Sequence, residues 1–482
     1  MTVTPPDPHP AQAHFDLALS LVAQGRHAEA EHAYRQVLAI LPGAAVAHSN
    51  LGNVLEVLER FAEAEAHVRL ASVLDPNLPE AHCNPVSYTH LDVYKRQVLE
   101  RFAEAEAHVR LASVLDPNLP EAHCNLASLM RHAGRLEEAE LAYRRALALR
   151  PDYPDALFGL ATLLLSLGRF EEGWPLYESR YAHPRFVHQR TRAMLPCPQW
   201  RGEPLAGRSL LVWQEDGLGD MIQFARYLPM LKAAGASRVS VACMGALHRL
   251  LAGVAGVDAV LDHDSAQARA ASFDCWTSLL SAPAHFGTSA ITIPAPVVLP
   301  MEPARLARWR ARLDTLDTLA PGAGRKVGLA WKGNPQHHND AHRSLPSLAA
   351  LAPLWSVPGI GFVSLQKGAG EDEIAAAAAS QPLLALGAEA EDLADSAAIL
   401  AQLDLLICVD TSVAHLAATL GVPCWVLLPR RDVDWRWMHG REDTPWYPAR
   451  LRLFRQGDGE GWERVVERVR GALGEWARTP SS

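Results

Sequence analysis

Residues 126–161, LASLMRHAGRLEEAELAYRRALALRPDYPDALFGLA, begin and end on Leu-Ala, and the step from Leu126 to Leu160 is 34 residues. Thirteen residues after each leading Leu stands a small residue, Ala139 and then Gly173, and four further on come Tyr143 and Tyr177. Pro151 follows Tyr143 by eight. The same marks recur toward the N-terminus: Leu17-Ala18 with Ala30, Tyr34 and Pro42, and Leu51-Gly52 with Ala64, Val68 and Pro76. Small residues let two helices approach closely, large ones fill the groove beside them, and proline ends the second helix. The segments GRHAEAE, GRLEEAE and GRFEEGW mark the corners, with Gly25, Gly134 and Gly168 at helix ends.

This pattern resembles the tetratricopeptide repeat, two antiparallel helices per unit, over residues 11–188. One interval breaks the step. Leu51 to Leu126 spans 75 residues, one step plus 41. Residues 57–84 recur identically as 98–125, and between the copies lies PVSYTHLDVYKRQ, residues 85–97, which has no repeat pattern. That peptide resembles one that recurs in unrelated sequences through adaptor or assembly contamination. Removing 41 residues restores the array, so residues 57–97 read as a duplication or insert artefact. The alternative is a recent genuine duplication with a linker, and neither reading assigns the insert a function.

A chain of 482 residues predicts two to four domains. With 49% hydrophobic and 21% charged residues it is not globally disordered. A net charge of −9 speaks against nucleic acid as a partner, because phosphate contacts need a basic surface. No apolar run is long enough to span a membrane. The Pro-rich N-terminus lacks a basic-then-apolar leader, so the expected location is the cytoplasm. The seven cysteines are Cys83, Cys124, Cys197, Cys243, Cys275, Cys408 and Cys424. Widely spaced and without a CxxC pair, they are expected to be buried thiols of a reducing compartment rather than zinc ligands.

Beyond Pro184 short apolar runs alternate with helical stretches, at 209–213, 238–243, 258–261, 327–331, 361–366, 405–409 and 425–428. Strands spaced by helices imply parallel sheets covered on both faces. The Pro- and Arg-rich stretch 293–325 separates two groups, giving an N-terminal Rossmann-like half at 189–300 and a C-terminal one at 301–482, with a cleft between them. Such sheets bind ligands beyond the carboxyl ends of their strands, so three loops carry the candidate site. The first holds Gly217, Gly219 and Asp220 at a helix start; the alternative role for Asp220 is a charge that only complements the helix dipole. The second holds Lys332, Gly333 and Asn334, where a lysine beside glycine can hold a diphosphate. The adjacent His337 and His338 lack the partners a metal site needs, and no metal is expected. The third holds Asp410, Thr411, Ser412 and His415, pairing a strand end with an anion-ready helix start. Further on, 432–437 (DVDWRW) and 445–448 (PWYP) are read either as stacking platforms for a base or sugar or as anchors of their loop.

Together the three loops resemble the GT-B glycosyltransferases of the heptosyltransferase type, glycosyltransferase family 9, over roughly 207–476. The resemblance implies an α-helical repeat array followed by an α/β GT-B region of two Rossmann-like domains, a plan like that of bacterial repeat-containing glycosyltransferases. It implies metal-independent hexosyl or heptosyl transfer from a nucleotide-sugar to a hydroxyl of a protein or glycan, with no cofactor beyond the donor. In it Asp220 is the catalytic base, with Gly217 and Gly219 on the acceptor side. Lys332, Gly333, Asn334, Asp410, Thr411, Ser412 and His415 hold the nucleotide-sugar. The repeat array and the DWRW and PWYP segments depart from the heptosyltransferase pattern, so heptose does not carry over as the donor sugar. The repeat array is expected to take a protein or peptide on its concave face. The competing expectation is a non-catalytic interaction scaffold with a degenerate GT-B region.

Overall fold

The structure, a computed structural model, describes residues 8–83, 98–183, 186–337, 339–377 and 383–479; the non-repeat peptide 85–97 and His338 lie outside the described residues. The chain forms two compact units, Met1–Leu160 and Ala161–Ser482, dividing inside the helix Pro154–Ser166.

The first unit is built of helix pairs: Pro8–Ala23 with His27–Ile40, Ala45–Val57 with Phe61–Leu74, and Pro120–His132 with Leu136–Leu149. Ala30, Ala64 and Ala139 are fully buried beside Tyr34, Val68 and Tyr143. Gly159 is needed for close approach, since a Cβ there would lie 2.5 Å from the Tyr143 ring. At each corner the amide of an arginine bonds back across the helix end: Arg26 to Leu21 O and Arg60 to Leu55 O, both at 2.9 Å, and Arg135 to Met130 O at 2.8 Å. This cap places the preceding residue in the left-handed region, where glycine is favoured. Gly25 and Gly134 sit there with φ of 72° and 76°, but the second pair carries Glu59 at φ 61°. Glu59→Gly is therefore expected to stabilise the protein by about 1 kcal/mol, the relief of a left-handed side chain less the added freedom of the unfolded chain. A urea midpoint that stays put or falls would refute this. The corner arginines also keep the repeat period. Arg60 meets Glu63 at 2.6 Å and Glu31 of the preceding pair at 2.7 Å, and Arg135 meets Glu138 at 2.5 Å and Glu106 at 2.8 Å.

The second unit contains two parallel sheets. The first comprises β1 (Ser209–Trp213), β2 (Arg238–Ala242), β3 (Ala259–Leu261) and β4 (Cys275–Thr277), in the order β3-β2-β1-β4. The second comprises β5 (Arg325–Ala330), β6 (Ile360–Ser364), β7 (Leu383–Ala385), β8 (Leu405–Val409), β9 (Cys424–Leu428) and β10 (Leu451–Arg455), in the order β10-β9-β8-β5-β6-β7. Every pairing is parallel. Counted from its own first strand, the second sheet runs 6-5-4-1-2-3, the dinucleotide-fold order, and the first runs 3-2-1-4. The chain reverses direction across each sheet between β1 and β4 and between β5 and β8. These are the switch points where open α/β sheets leave a crevice beyond their carboxyl ends. The two-lobed GT-B plan is thus present.

Central strands buried on both faces read as unbroken apolar runs, LLICV for β8 and CWVLL for β9. Val327, Leu329, Ile407, Val409 and Leu427 pack with Val465, Val469 and Leu473 of the C-terminal helix Trp462–Arg478. Six cysteines are free and buried, from Cys124 to Cys424. The helix Phe170–Tyr177 belongs to this unit. Its Trp174 is buried against Trp435 and Trp446, with ring centroids 5.3 and 6.3 Å away, and donates its indole N–H to Thr288 O at 3.0 Å. Among the described residues no helix is long and apolar enough to cross a membrane.

Candidate functional site

At the carboxyl end of β1 the chain turns through Gln214–Gly217 into the helix Leu218–Phe224. Asp220, in the first turn, reaches back so that one carboxylate oxygen accepts from the Gly217 amide at 2.8 Å. Its other oxygen pairs with Arg436, whose guanidinium also meets Asp434 at 2.8 Å. Burial pushes Asp220 up to about 6, against the pull of Arg436 and with help from Asp216. About a fifth of the side chain, 21%, stays exposed.

The neighbouring residues Glu215 and Asp216 meet other partners. The Glu215 side chain is fully buried, and burial raises its pKa against the nearby charges of Arg180, 3.4 Å away, and His188. Arg180 is itself fixed by Glu178 and Ser281, each at 2.6 Å, and by the Tyr181 hydroxyl at 2.9 Å. Asp216 lies 3.3 Å from His188; burial works to raise it, but His188 and Arg180 hold it below the ordinary range.

In the second lobe Lys332 follows β5 and pairs with Glu373 at 2.7 Å. The amide of Gly333 donates to Ser344 Oγ at 2.9 Å, and a Cβ at Gly333 would stand 2.8 Å from both Arg343 and Asp340. Asn334 spends its side-chain oxygen locally, accepting from the Gln336 amide at 3.0 Å. Strand pairing sets Ala330 beside Cys408, so Lys332 and Asp410 leave neighbouring strand ends two residues beyond.

Asp410 follows β8, and Thr411 caps the helix Ser412–Thr419 by accepting from the Val413 amide at 3.3 Å. Burial, then Asp434, push Asp410 up to about 6, opposed by the neighbouring Trp437 indole and by the charges of Arg343 and Arg436. His415 is buried against Trp437, stacked at 5.1 Å, with Nδ1 3.3 Å from the Tyr447 hydroxyl. Burial and Arg436 drive it down to about 3, so it is a neutral imidazole at ordinary pH.

The two helix starts converge. A Cβ on Gly219 would lie 2.9 Å from His415 Cδ2 and 3.5 Å from the Ser412 Cα, so only glycine permits this approach. The structure thereby brings Gly219, Asp220, Asp410, Ser412 and His415 to one place, and leaves Lys332 at the neighbouring strand end with its charge turned to Glu373. Sequence reading did not single out Arg436 as a site residue. Its only signal was a charge among aromatics in DWRW, and the pairing with Asp220 spans 216 positions.

The carrier loop of Arg436 is tightly fixed. Asp432 and Met438, at φ 55° and 56°, bracket it in left-handed conformations. The side-chain amide of Asn339 donates to Asp432 O at 2.7 Å, and Arg455 donates to the carbonyls of Trp437 and Met438 at 2.5 and 2.7 Å. Non-glycine residues persist in that region only where the surroundings over-determine them.

Two family models of the tetratricopeptide repeat match this chain, at residues 15–79 and 131–173. The N-terminal helix pairs are tetratricopeptide repeats. Among curated proteins, Protein FlbA of Caulobacter vibrioides is 31% identical over 329 residues, covering 63% of this chain. The chain spans about half, 52%, of that relative's length. Among solved structures, a thermophilic tetratricopeptide-repeat protein of Thermus thermophilus is 21% identical, with 38% of this chain and 96% of that one covered and a TM-score of 0.34. A glycosyl transferase family 9 protein of Veillonella parvula is 12% identical, with 57% of this chain and 98% of that one covered and a TM-score of 0.44. The tetratricopeptide models thus fall on the helix pairs and stop at residue 173, short of both parallel sheets.

Proposed function

We propose that the second unit transfers a sugar from a nucleotide-sugar to an acceptor hydroxyl, and that the tetratricopeptide repeats recruit a protein or peptide, the acceptor or a partner, on their concave face. One observation carries the reading. The loops after β1 and β8, each at the switch point of its own parallel sheet, meet around a carboxylate and a helix start. The amides of Thr411-Ser412 and the dipole of the Ser412–Thr419 helix suit the diphosphate of a donor. Arg343, on the loop after β5, adds a cation near Asp410, and Lys332 on the same loop would add another on leaving Glu373. Asp410 is negative and suits a ribose hydroxyl rather than phosphate.

In the reaction the acceptor oxygen bonds to the anomeric carbon as the bond from that carbon to the diphosphate oxygen breaks. The nucleoside diphosphate departs with the electron pair, and the hydroxyl proton passes to Asp220. Preorganised donors at the helix start stabilise the charge growing on the leaving group, so no residue need move it by bond-making. His415, neutral and stacked, holds the two helix starts in register.

A thermal-shift screen of the full chain with UDP, GDP and ADP tests the donor site. A ligand at 100 times its Kd stabilises by about 2.7 kcal/mol, so at least one of the three is expected to raise Tm by several degrees. No shift with any of them sinks the reading in favour of a scaffold. The base should also show in the pH profile. Asp220 acts when ionised and its folded pKa is raised to about 6, so kcat/KM for donor turnover is expected to fall about tenfold per pH unit below that point. A flat profile between pH 5 and 7 would assign proton transfer elsewhere.

A further inference from the structure

We propose that Arg436 is a ligand for the donor's diphosphate, and that it holds Asp220 in an ion pair until the donor takes it away. This rests on the nucleotide-sugar reading above. The first ground is charge. Asp220 and Asp410 stand at the two helix starts that meet at Gly219 and Ser412, and Asp434 is joined to Asp220 through Arg436, so a diphosphate entering there needs a cation. Lys332 is engaged by Glu373. Arg436 stands closer in effect: its charge acts on Asp220, Asp410 and His415 alike.

The second ground is the state of Arg436 itself. Only 6% of it is exposed, and its Nε finds no hydrogen-bond partner among the described residues. A guanidinium has five N–H donors in a planar fork that matches phosphate, and here Nη1 meets Asp434 and Nη2 meets Asp220 while the fork is incompletely used. The third ground is the fixed loop. With Asp432 and Met438 locked and the backbone tied by Asn339 and Arg455, the base of the side chain cannot wander. The guanidinium carbon lies over the rings of Trp435 and Phe224, 4.5 and 5.3 Å from their centroids, so the side chain is held on these two faces.

The consequence is an order of events. In the free enzyme the carboxylate that should take the acceptor's proton is engaged by a cation. When the diphosphate draws Arg436 off, Asp220 loses that cation and becomes the stronger base. The acceptor hydroxyl is then deprotonated only over a loaded donor. The proton goes to Asp220, and Arg436 stays with the departing diphosphate.

A double-mutant cycle tests this by calorimetric titration of the full chain with UDP, GDP and ADP. Arg436→Met, which keeps the packing on Trp435, is expected to weaken diphosphate binding by at least about tenfold, the scale of one charge-assisted contact. Asp220→Asn releases Arg436 in advance and is expected to tighten binding by about tenfold, and this gain should vanish in the Arg436→Met background. If Arg436→Met is too unstable to titrate, Arg436→Lys replaces it, since lysine offers no bidentate fork and the Asp220→Asn gain must shrink there too. Tightening by the same factor with and without Arg436 would reduce the effect to the removal of a negative charge and overturn the proposal. So would no tightening at all. Both leave the nucleotide-sugar reading standing, whereas failure of all three probes to bind the folded wild type overturns both.

Discussion

In the Asp220→Asn variant, sugar transfer is expected to slow by roughly 10²–10⁴-fold while the protein stays folded and still binds donor, the effect of losing a positioned general base. The amide keeps the shape of the carboxylate, and its oxygen can still accept from the Gly217 amide, so the helix start is retained. It has no use for a proton. Steady-state kinetics on the purified variant separate the cases: a fall in kcat with donor binding kept or improved supports the role, and a variant with unchanged kcat removes Asp220 from the chemistry. The pH dependence below about 6 should disappear with the carboxylate.

The second large effect concerns stability. Arg180→Ala is expected to cost about 3–5 kcal/mol, because it strands the fully buried Glu215 side chain without its nearest cation. The sign with pH follows from Glu215. Its folded pKa already lies above the unfolded value, and losing Arg180 raises it further. The penalty is therefore full above that folded pKa and fades as pH falls through it toward the unfolded value. Urea unfolding at pH 8 and pH 5 should show the variant recovering part of its loss in acid relative to wild type. Adding Glu215→Gln to Arg180→Ala should recover stability at pH 8. A double variant no more stable than the single one would mean that packing, not charge, sets the cost.

How much of this was legible in the sequence varies with distance along the chain. The repeats were, because the markers of one unit, Leu17 to Pro42 for instance, lie within less than one repeat and return at a step of 34 residues. Strands β1 and β8 were readable to the residue, since a strand buried on both faces is an uninterrupted apolar run. Of the edge strands, β3 was read at 258–261, one residue longer than it is, and the others were not. β4 and β7 are three residues each, and β10, LRLFR, alternates charge with apolar residues. The loops of the candidate site could be found because they follow strands. Their partners could not: Asp220 to Arg436 and Lys332 to Glu373 are contacts made by tertiary folding, and no local spacing encodes them. In sequence DWRW reads equally as a stacking platform or an anchor. The structure makes its tryptophans buried packing residues and gives its arginine a charge role that periodicity could not reveal.

The aromatic seat of the Phe170–Tyr177 helix bears on how such chains are assembled by recombination. That helix carries the marks of a repeat, yet Trp174 is enclosed by Trp435 and Trp446 of the second unit. A gene fusion that joined a foreign repeat array at the end of the repeat pattern would bring a helix without that tryptophan and leave a hole in the recipient. A fusion point near residue 160 would carry the helix along with its seat. The exchangeable module of this architecture is therefore shorter than its repeat pattern, and lineages that shuffle arrays should inherit the last repeat helix from the parent that supplies the second unit.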